Sequence, residues 1–198
     1  FKVMRERENV CNYLDIALQH ISDNMLKKMR RGVSSQQTYE LVKMLRCEVP
    51  DIHIRTTLLL GHPGETEDDV EELKTFIREV RFERLGAFAY SDEEGTYSNL
   101  HYDDNIPYEI KQQRVSEIMK IQQQISLEIN QQKIGKSFKI IVDSLDDDYY
   151  IARSEYDSPE VDTEILINRA DGELLIGEFY TAKIIGAEEF DLYAQIQK

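Results

Sequence analysis

The chain has 198 residues, 41% of them hydrophobic and 31% charged, with a formal net charge of −14. That length holds one large domain or two small ones with a sizeable core. No apolar run approaches the ~18 residues of a membrane helix and no signal peptide is recognised, so a cytoplasmic location is expected. The charge is uneven: residues 134–198 carry six Lys and Arg against fifteen Asp and Glu, and residues 1–133 carry eighteen against twenty-three. A surface that acidic repels phosphates and attracts basic partners, which speaks against nucleic acid for the C-terminal part. Cys11 and Cys47 lie far apart with no ligand spacing, and buried free thiols in a reducing compartment are expected. An iron–sulfur cluster needs three or four cysteines, which this chain does not supply.

In chain order, residues 1–8 read as the inside of a helix, so the chain is expected to be part of a longer protein. Residues 12–18 read as a strand ending in Gln19-His20-Ile21-Ser22. Ser22 or Asp23 caps a short helix through Arg31, closed by Gly32. Ser34 or Ser35 opens the next, with Tyr39, Leu41, Val42 and Leu45 facing the core and Pro50 beyond its end. Residues 54–60 are a near-continuous apolar and β-branched run, the mark of a buried parallel strand. Gly61, Pro63 and Gly64 break it, and Thr66 follows as an N-cap with Asp69 three residues on. The helix over 67–81 carries Val70, Leu73, Phe76, Ile77 and Val80 at helical spacing, with acids in its first turn. Residues 85–90 make a third strand, running into the polar loop Ser91–Thr96.

Strand, helix, strand, helix, strand implies parallel pairing through right-handed crossovers. Three such strands make a poor sheet alone, so the N-terminal part reads as half of a larger β/α barrel. An apolar edge and inner face would then be exposed, and the isolated chain is expected to self-associate or to be unstable. Pro107 suits the first position of a long helix over 107–131, with Ile110, Ile118, Ile121, Ile125 and Ile129 as its stripe and a glutamine-rich solvated face. From Ser137 the period switches to two. Five short strands, separated by turns at 146–148, 158–159 and 171–172, suggest a small antiparallel OB-like barrel. The fold class is thus α/β: residues 1–106 as a partial (β/α) TIM-like barrel, 107–133 as a linker helix, and 134–198 as a small all-β OB-like barrel.

Strand, glycine turn and helix N-terminus place backbone N–H groups and a positive dipole end at the C-terminal edge of the sheet, where open α/β sheets and barrels bind ligands. Alternatively, Glu65 and Thr66 only begin a helix. His20 and His62 both sit at strand ends, where hydrogen-bonded loop residues are commoner than ligands, and nothing points to a metal site. Asp92, Glu93 and Glu94 form an acidic loop at the same mouth.

Four segments carry a resemblance: Tyr13–Asp23, Met29–Gly32, Thr56–Thr66 and Phe88–Thr96, in order and at consistent spacing. Together they resemble the radical-SAM methylthiotransferases, closest to the branch that modifies an aspartate of a ribosomal protein. Tyr150–Asp162 resembles the start of that family's TRAM barrel. The resemblance implies the last three strands of a radical-SAM barrel plus TRAM, with two 4Fe–4S clusters held by cysteines outside this chain. The chain then has no catalytic residue of its own and is inactive alone. It further implies S-adenosyl-L-methionine (SAM) as cofactor, bound by Gly61, Pro63, Gly64 and Glu65 beside the adenosine. Gln19 would take the ribose or amino-acid moiety, Tyr90 and Ser91 would flank the adenine, and Arg31 would pair with the carboxylate. The implied reaction adds a methylthio group to the β-carbon of an aspartate in the twelfth small-subunit ribosomal protein, a basic partner met by the acidic TRAM barrel. The tRNA-modifying sister family and a non-catalytic protein-binding module are the alternatives; an RNA-docking barrel should be basic, and this one is acidic.

Overall fold

The computed structural model describes residues 1–197; Lys198, the last residue of the expected second barrel, lies outside them. After the short helix α1 (Lys2–Glu6), a three-stranded parallel sheet forms in the order β1 (Tyr13–Asp15), β2 (His53–Leu60), β3 (Arg84–Ala89). The helices α2 (Asp23–Lys28), α3 (Ser35–Glu48) and α4 (Glu67–Val80) make the crossovers. Alternation in β2 sorts its side chains. Ile54, Thr56, Leu58 and Leu60 are buried on one face, while His53, Arg55, Thr57 and Leu59 half-line the other. The buried set joins Leu45, Leu73, Phe76, Ile77 and Phe82 in one apolar core.

The first strand is shorter than the sequence suggests. The chain leaves the ladder after Asp15 and returns at Gln19, whose N–H and C=O bond Thr57 and Leu59 across β2. Between them Thr56 supplies the missing partners, its Oγ1 donating to the Ile16 carbonyl and accepting from the Leu18 N–H. Helix α2 also stops early, at Lys28, because Arg30 adopts a left-handed φ of 56° before Gly32 is reached. Ser34 and Gln37 form a full capping box on α3, and Thr66 and Asp69 do the same on α4.

Residues 97–106, which follow the polar loop Ser91–Thr96 and carry no expected element, contain one further helical turn, α5 (Tyr97–His101). Then α6 (Tyr108–Gln131) begins, with Pro107 as its N-cap rather than its first helical residue. Ile118 and Ile125 enter the α/β core, but Ile110 is exposed. The glutamine face is not uniformly solvated: Gln122 is buried, its amide donating to the Phe82 carbonyl and the Ser126 hydroxyl.

The closed barrel runs β4 (Ser137–Asp146), β5 (Tyr149–Ser154), β6 (Glu164–Asn168), β8 (Asp191–Ile196), β7 (Phe179–Ala187). It is mixed rather than purely antiparallel, since β6 and β8 pair in parallel. Closure follows because β4, the longest strand, pairs with both β5 and β7. Both cysteines are exposed, not buried: Cys11 lies in the irregular entry to β1, and Cys47 is on the solvent face of α3.

The expected open half-barrel is present. β1 and β3 each pair only with β2, and on the inner face Phe88 is 56% exposed. Toward the N-terminal ends of the strands that face is polar, and the small barrel covers it. There Arg84 pairs with Asp157 at 2.5 Å, both side chains buried. Arg55 reaches Asp162 at 3.5 Å, the Tyr13 hydroxyl donates to Asp162 at 2.7 Å, and Tyr156 stacks on His53.

Candidate functional site

At the C-terminal ends of the strands the sequence builds a mouth around the turn that follows β2. Gly61 adopts φ 77° and Gly64 φ 82°, conformations that L side chains rarely take. At Gly61 space forbids a side chain as well, since a Cβ would lie 2.3 Å from Lys111 Cγ; at Gly64 a Cβ would meet the tip of the Lys28 side chain, 2.7 Å from Nζ, which can swing aside. The turn is thus pressed between α6 and α2, which fixes where it stands at the mouth.

Glu65 locks the turn from beneath. Its fully buried carboxylate accepts the Gly61 N–H at 2.8 Å and Arg114 Nη1 at 3.0 Å. Burial pushes this carboxyl up to about 7, against the opposing pull of the Gly61 N–H and the Arg114 guanidinium. His20 lies 3.8 Å away through Nε2 and is completely buried. Its Nδ1 accepts the Ser22 N–H, so the proton sits on Nε2, and burial drives the ring down to about 4. Asp69 ties α2 to α4 by accepting from the Ser22 hydroxyl, the Asn24 amide and Thr66. Burial opposes its charge, but those donors outweigh burial and hold it below the usual range.

The opening itself is a cavity of about 370 Å³ lined by Gln19, the Lys28–Arg31 segment, Leu59, His62, Tyr97 and Ser98. Its wall is basic: Lys28 stands over the Tyr102 ring, Arg30 over the Tyr97 ring, and Arg31 donates to the Ala17 carbonyl. His62 is buried and, with its pKa lowered mainly by burial, neutral. Its Nδ1 meets the Pro63 carbonyl at 3.1 Å and its Nε2 the Ser98 hydroxyl at 3.1 Å. Ser98 also lies 2.9 Å from the Tyr90 hydroxyl, which reaches Asp92 as well. Lys111 holds the strap after β3 in place by donating to Asp104 and to the Tyr90 carbonyl.

Of the residues singled out in the sequence, Gln19 and Arg31 line this cavity together with His62. Pro63 is buried in the turn, Gly61 and Gly64 shape it, and Glu65 faces inward rather than outward. Tyr90 is buried with its hydroxyl already bonded, and Ser91 sits on the exposed rim bonded to Glu93. Sequence reasoning missed Lys28, Tyr97, Ser98, Lys111 and Arg114. The first three carried no motif, and the last two belong to a helix read as a linker. Among the described residues, no three of His, Cys, Asp or Glu are grouped to hold a metal ion.

A partial β/α barrel with a basic ligand mouth, joined to a closed OB-like barrel, is the class of protein that fold and site define. The Radical SAM superfamily model matches residues 1–77 and the TRAM domain model residues 134–196. The chain is 61% identical over 196 residues to the "Ribosomal protein uS12 methylthiotransferase RimO" of Phocaeicola vulgatus, covering 99% of this chain and 45% of that relative. It is 60% identical over 196 residues to the same-named protein of Bacteroides thetaiotaomicron, with the same coverage. The Porphyromonas gingivalis protein of that name is 57% identical over 195 residues, 98% of this chain and 45% of its own length. The chain thus spans just under half the length of these relatives. Among solved structures, coproporphyrinogen III oxidase (HemN) from Escherichia coli overlays 58% of this chain on 27% of its own, at 16% identity and a TM-score of 0.49. Over nearly its whole length the chain is similar to these methylthiotransferases, with a Radical SAM segment followed by a TRAM domain.

Proposed function

We propose that this chain is the C-terminal part of an enzyme that adds a methylthio group to the β-carbon of an aspartate in ribosomal protein uS12. The observation that carries the reading is identity of 57–61% to proteins named for that activity, along 98–99% of the chain and across both barrels. On this reading residues 1–106 close the radical-SAM barrel, 107–133 join the two units, and 134–198 form TRAM.

The basic mouth fits the carboxylate end of SAM. Gln19 and Arg31, with Lys28 and Arg30 beside them, would hold that end, and the backbone of the Gly61–Gly64 turn would approach the adenosine. Glu65 acts on the turn, not on the ligand. SAM and its cluster supply removal of an unactivated hydrogen, which no side chain here performs. The chain's own residues bind, orient and keep water from the reacting centre. Two exposed cysteines and no metal-holding group among the described residues leave the 4Fe–4S ligands to parts of the protein outside this chain. The acidic barrel favours a basic protein substrate and disfavours tRNA.

The test uses the natural gene product, purified without oxygen from its own source. It is expected to hold about eight irons, two 4Fe–4S clusters, and to raise the mass of one uS12 aspartate by a methylthio group when given SAM, a reductant and sulfide. Modification of tRNA with uS12 left untouched would overturn the reading.

A further inference from the structure

The mouth is not the one cavity that the fold forms. A cleft of about 570 Å³ lies between the α/β unit and the small barrel, at the opposite pole of the sheet. That volume falls within the ~300–1,000 Å³ range of small-molecule sites. One wall is aromatic. Tyr156 and Phe138 meet edge to face with centroids 6.3 Å apart, and His53 stacks on Tyr156 at 4.2 Å. His53 Nδ1 engages the Asp51 carbonyl, and its Nε2 has no hydrogen-bond partner among the described residues.

The other wall carries Lys133, whose situation is unusual. Its residue is 7% exposed, yet it forms no ion pair within 4 Å among the described residues. Its ammonium donates only to the Asn130 side-chain oxygen, at 3.3 Å. Two of its three N–H groups therefore have no protein partner among the described residues, and a buried charge so placed is costly. Burial, followed by the nearby Arg84, brings its pKa down to about 8. Lys136, Arg46 and Arg81 also line the cleft. Its carboxylates are Asp51, Glu79 and Glu83. Glu83 is taken by Arg46 and the Ile54 N–H, and Glu79 accepts the Tyr39 hydroxyl. Among the described residues, the Asp51 carboxylate on the rim has no such side-chain partner.

We propose that this cleft is a second ligand site, for a small molecule that joins a flat heterocycle to a phosphate, as a mononucleotide does. Lys133 and Lys136 take the phosphate, which gives the buried ammonium a direct ion-pair partner where Asp157 and Glu83 now act on it only from beyond 4 Å. Tyr156 and Phe138 pack the ring, and His53 Nε2 and Asp51 offer acceptors to its amino or hydroxyl groups. The site rests on the geometry of the cleft and is independent of what occupies the mouth.

The test is titration of the full-length gene product with AMP, followed by calorimetry. Saturable binding is expected, with adenosine and inorganic phosphate each at least about tenfold weaker than AMP. Lys133→Met keeps the aliphatic stem and is expected to weaken AMP by about tenfold or more, the loss of a charged hydrogen bond. Lys136→Glu, an exposed position that leaves the fold intact, is expected to weaken it in the same direction. No saturable binding, or an affinity for AMP unchanged from the natural protein in both variants, would overturn the proposal. So would phosphate alone binding as tightly as AMP, which removes the ring from the assignment. A single-stranded oligoribonucleotide binding more tightly than AMP would overturn the small-molecule assignment in favour of RNA.

Discussion

Asp157→Asn tests how the small barrel is held to the α/β half. The Asp157 side chain is 1% exposed and that of Arg84 8%, and the pair is 2.5 Å apart. Asp157 also accepts the Ser154 hydroxyl and N–H. Burial works against its charge, but Arg84, Lys133 and Ser154 outweigh it and hold the carboxyl below the usual range. Without that carboxylate, Arg84 keeps only the Glu83 carbonyl among the described residues, where its Nε has no partner. Breaking a buried pair from one side costs about 3–5 kcal/mol. Asn retains one acceptor, so the lower end, about 3 kcal/mol, is expected for Asp157→Asn, and about 5 kcal/mol for Asp157→Leu. Urea unfolding followed by tyrosine fluorescence measures the change. The double variant Arg84→Leu with Asp157→Leu should recover most of the loss, giving a coupling energy above about 1 kcal/mol. An Asp157→Asn change within about 0.5 kcal/mol, the range of an ordinary surface substitution, would refute the reasoning.

The remaining predictions concern the turn, its buried histidine, the outer surface and the open sheet. Gly61→Ala faces both a positive φ and a Cβ 2.3 Å from Lys111, whereas Gly95 has a similar φ of 79° and open space around it. Gly61→Ala should therefore cost about 2–5 kcal/mol and Gly95→Ala only about 1–2, read by thermal melting. His20 is held down to about 4 in the fold against 6.5 unfolded, so the unfolded chain binds the extra proton between those values. Stability from this group is complete above pH 6.5 and lost as pH falls toward 4. Unfolding of His20→Gln across pH 4–7 should show a flatter acid limb, and an unchanged limb would contradict the assignment. A basic peptide should bind the acidic barrel in a salt-sensitive way while tRNA binds weakly or not at all; tight tRNA binding at physiological salt would reverse that. With β1 and β3 each paired on one side only, the isolated 198-residue chain should self-associate in light scattering, and a stable monomer would contradict the open half-barrel.

How much of this was legible in the sequence depended on range. β2, its glycine turn and the Thr66–Asp69 cap were readable because periodicity, turn residues and capping all act within a few positions. The five barrel strands were readable for the same reason. The parallel β6–β8 pairing was not, because it joins strands distant in sequence. Nor was the inward turn of Glu65, which answers to Arg114, 49 residues on, in a helix whose buried Gln122 and Ser126 disguise its packed face. α5 carries no apolar period and is held by Tyr97 and Tyr102 against Arg30 and Lys28. The Tyr150–Asp162 segment was recognised by resemblance. That its Asp157 and Asp162 clamp the sheet became apparent only when Arg84 and Arg55 stood opposite them.

The position of that clamp sets a distance. The small barrel grips the sheet where β2 begins, and the mouth opens where β2 ends. β2 spans eight residues, which at ~3.3 Å per residue is about 25 Å. A protein segment anchored on the barrel must therefore reach some eight extended residues along the outside of the sheet before it arrives at the opening. If, as proposed, the barrel holds the protein substrate, selection would act as a ruler: the residue presented at the mouth would be chosen by its offset from the anchored segment as well as by its own chemistry. A compact partner without a protruding arm of that length would be gripped and left unread.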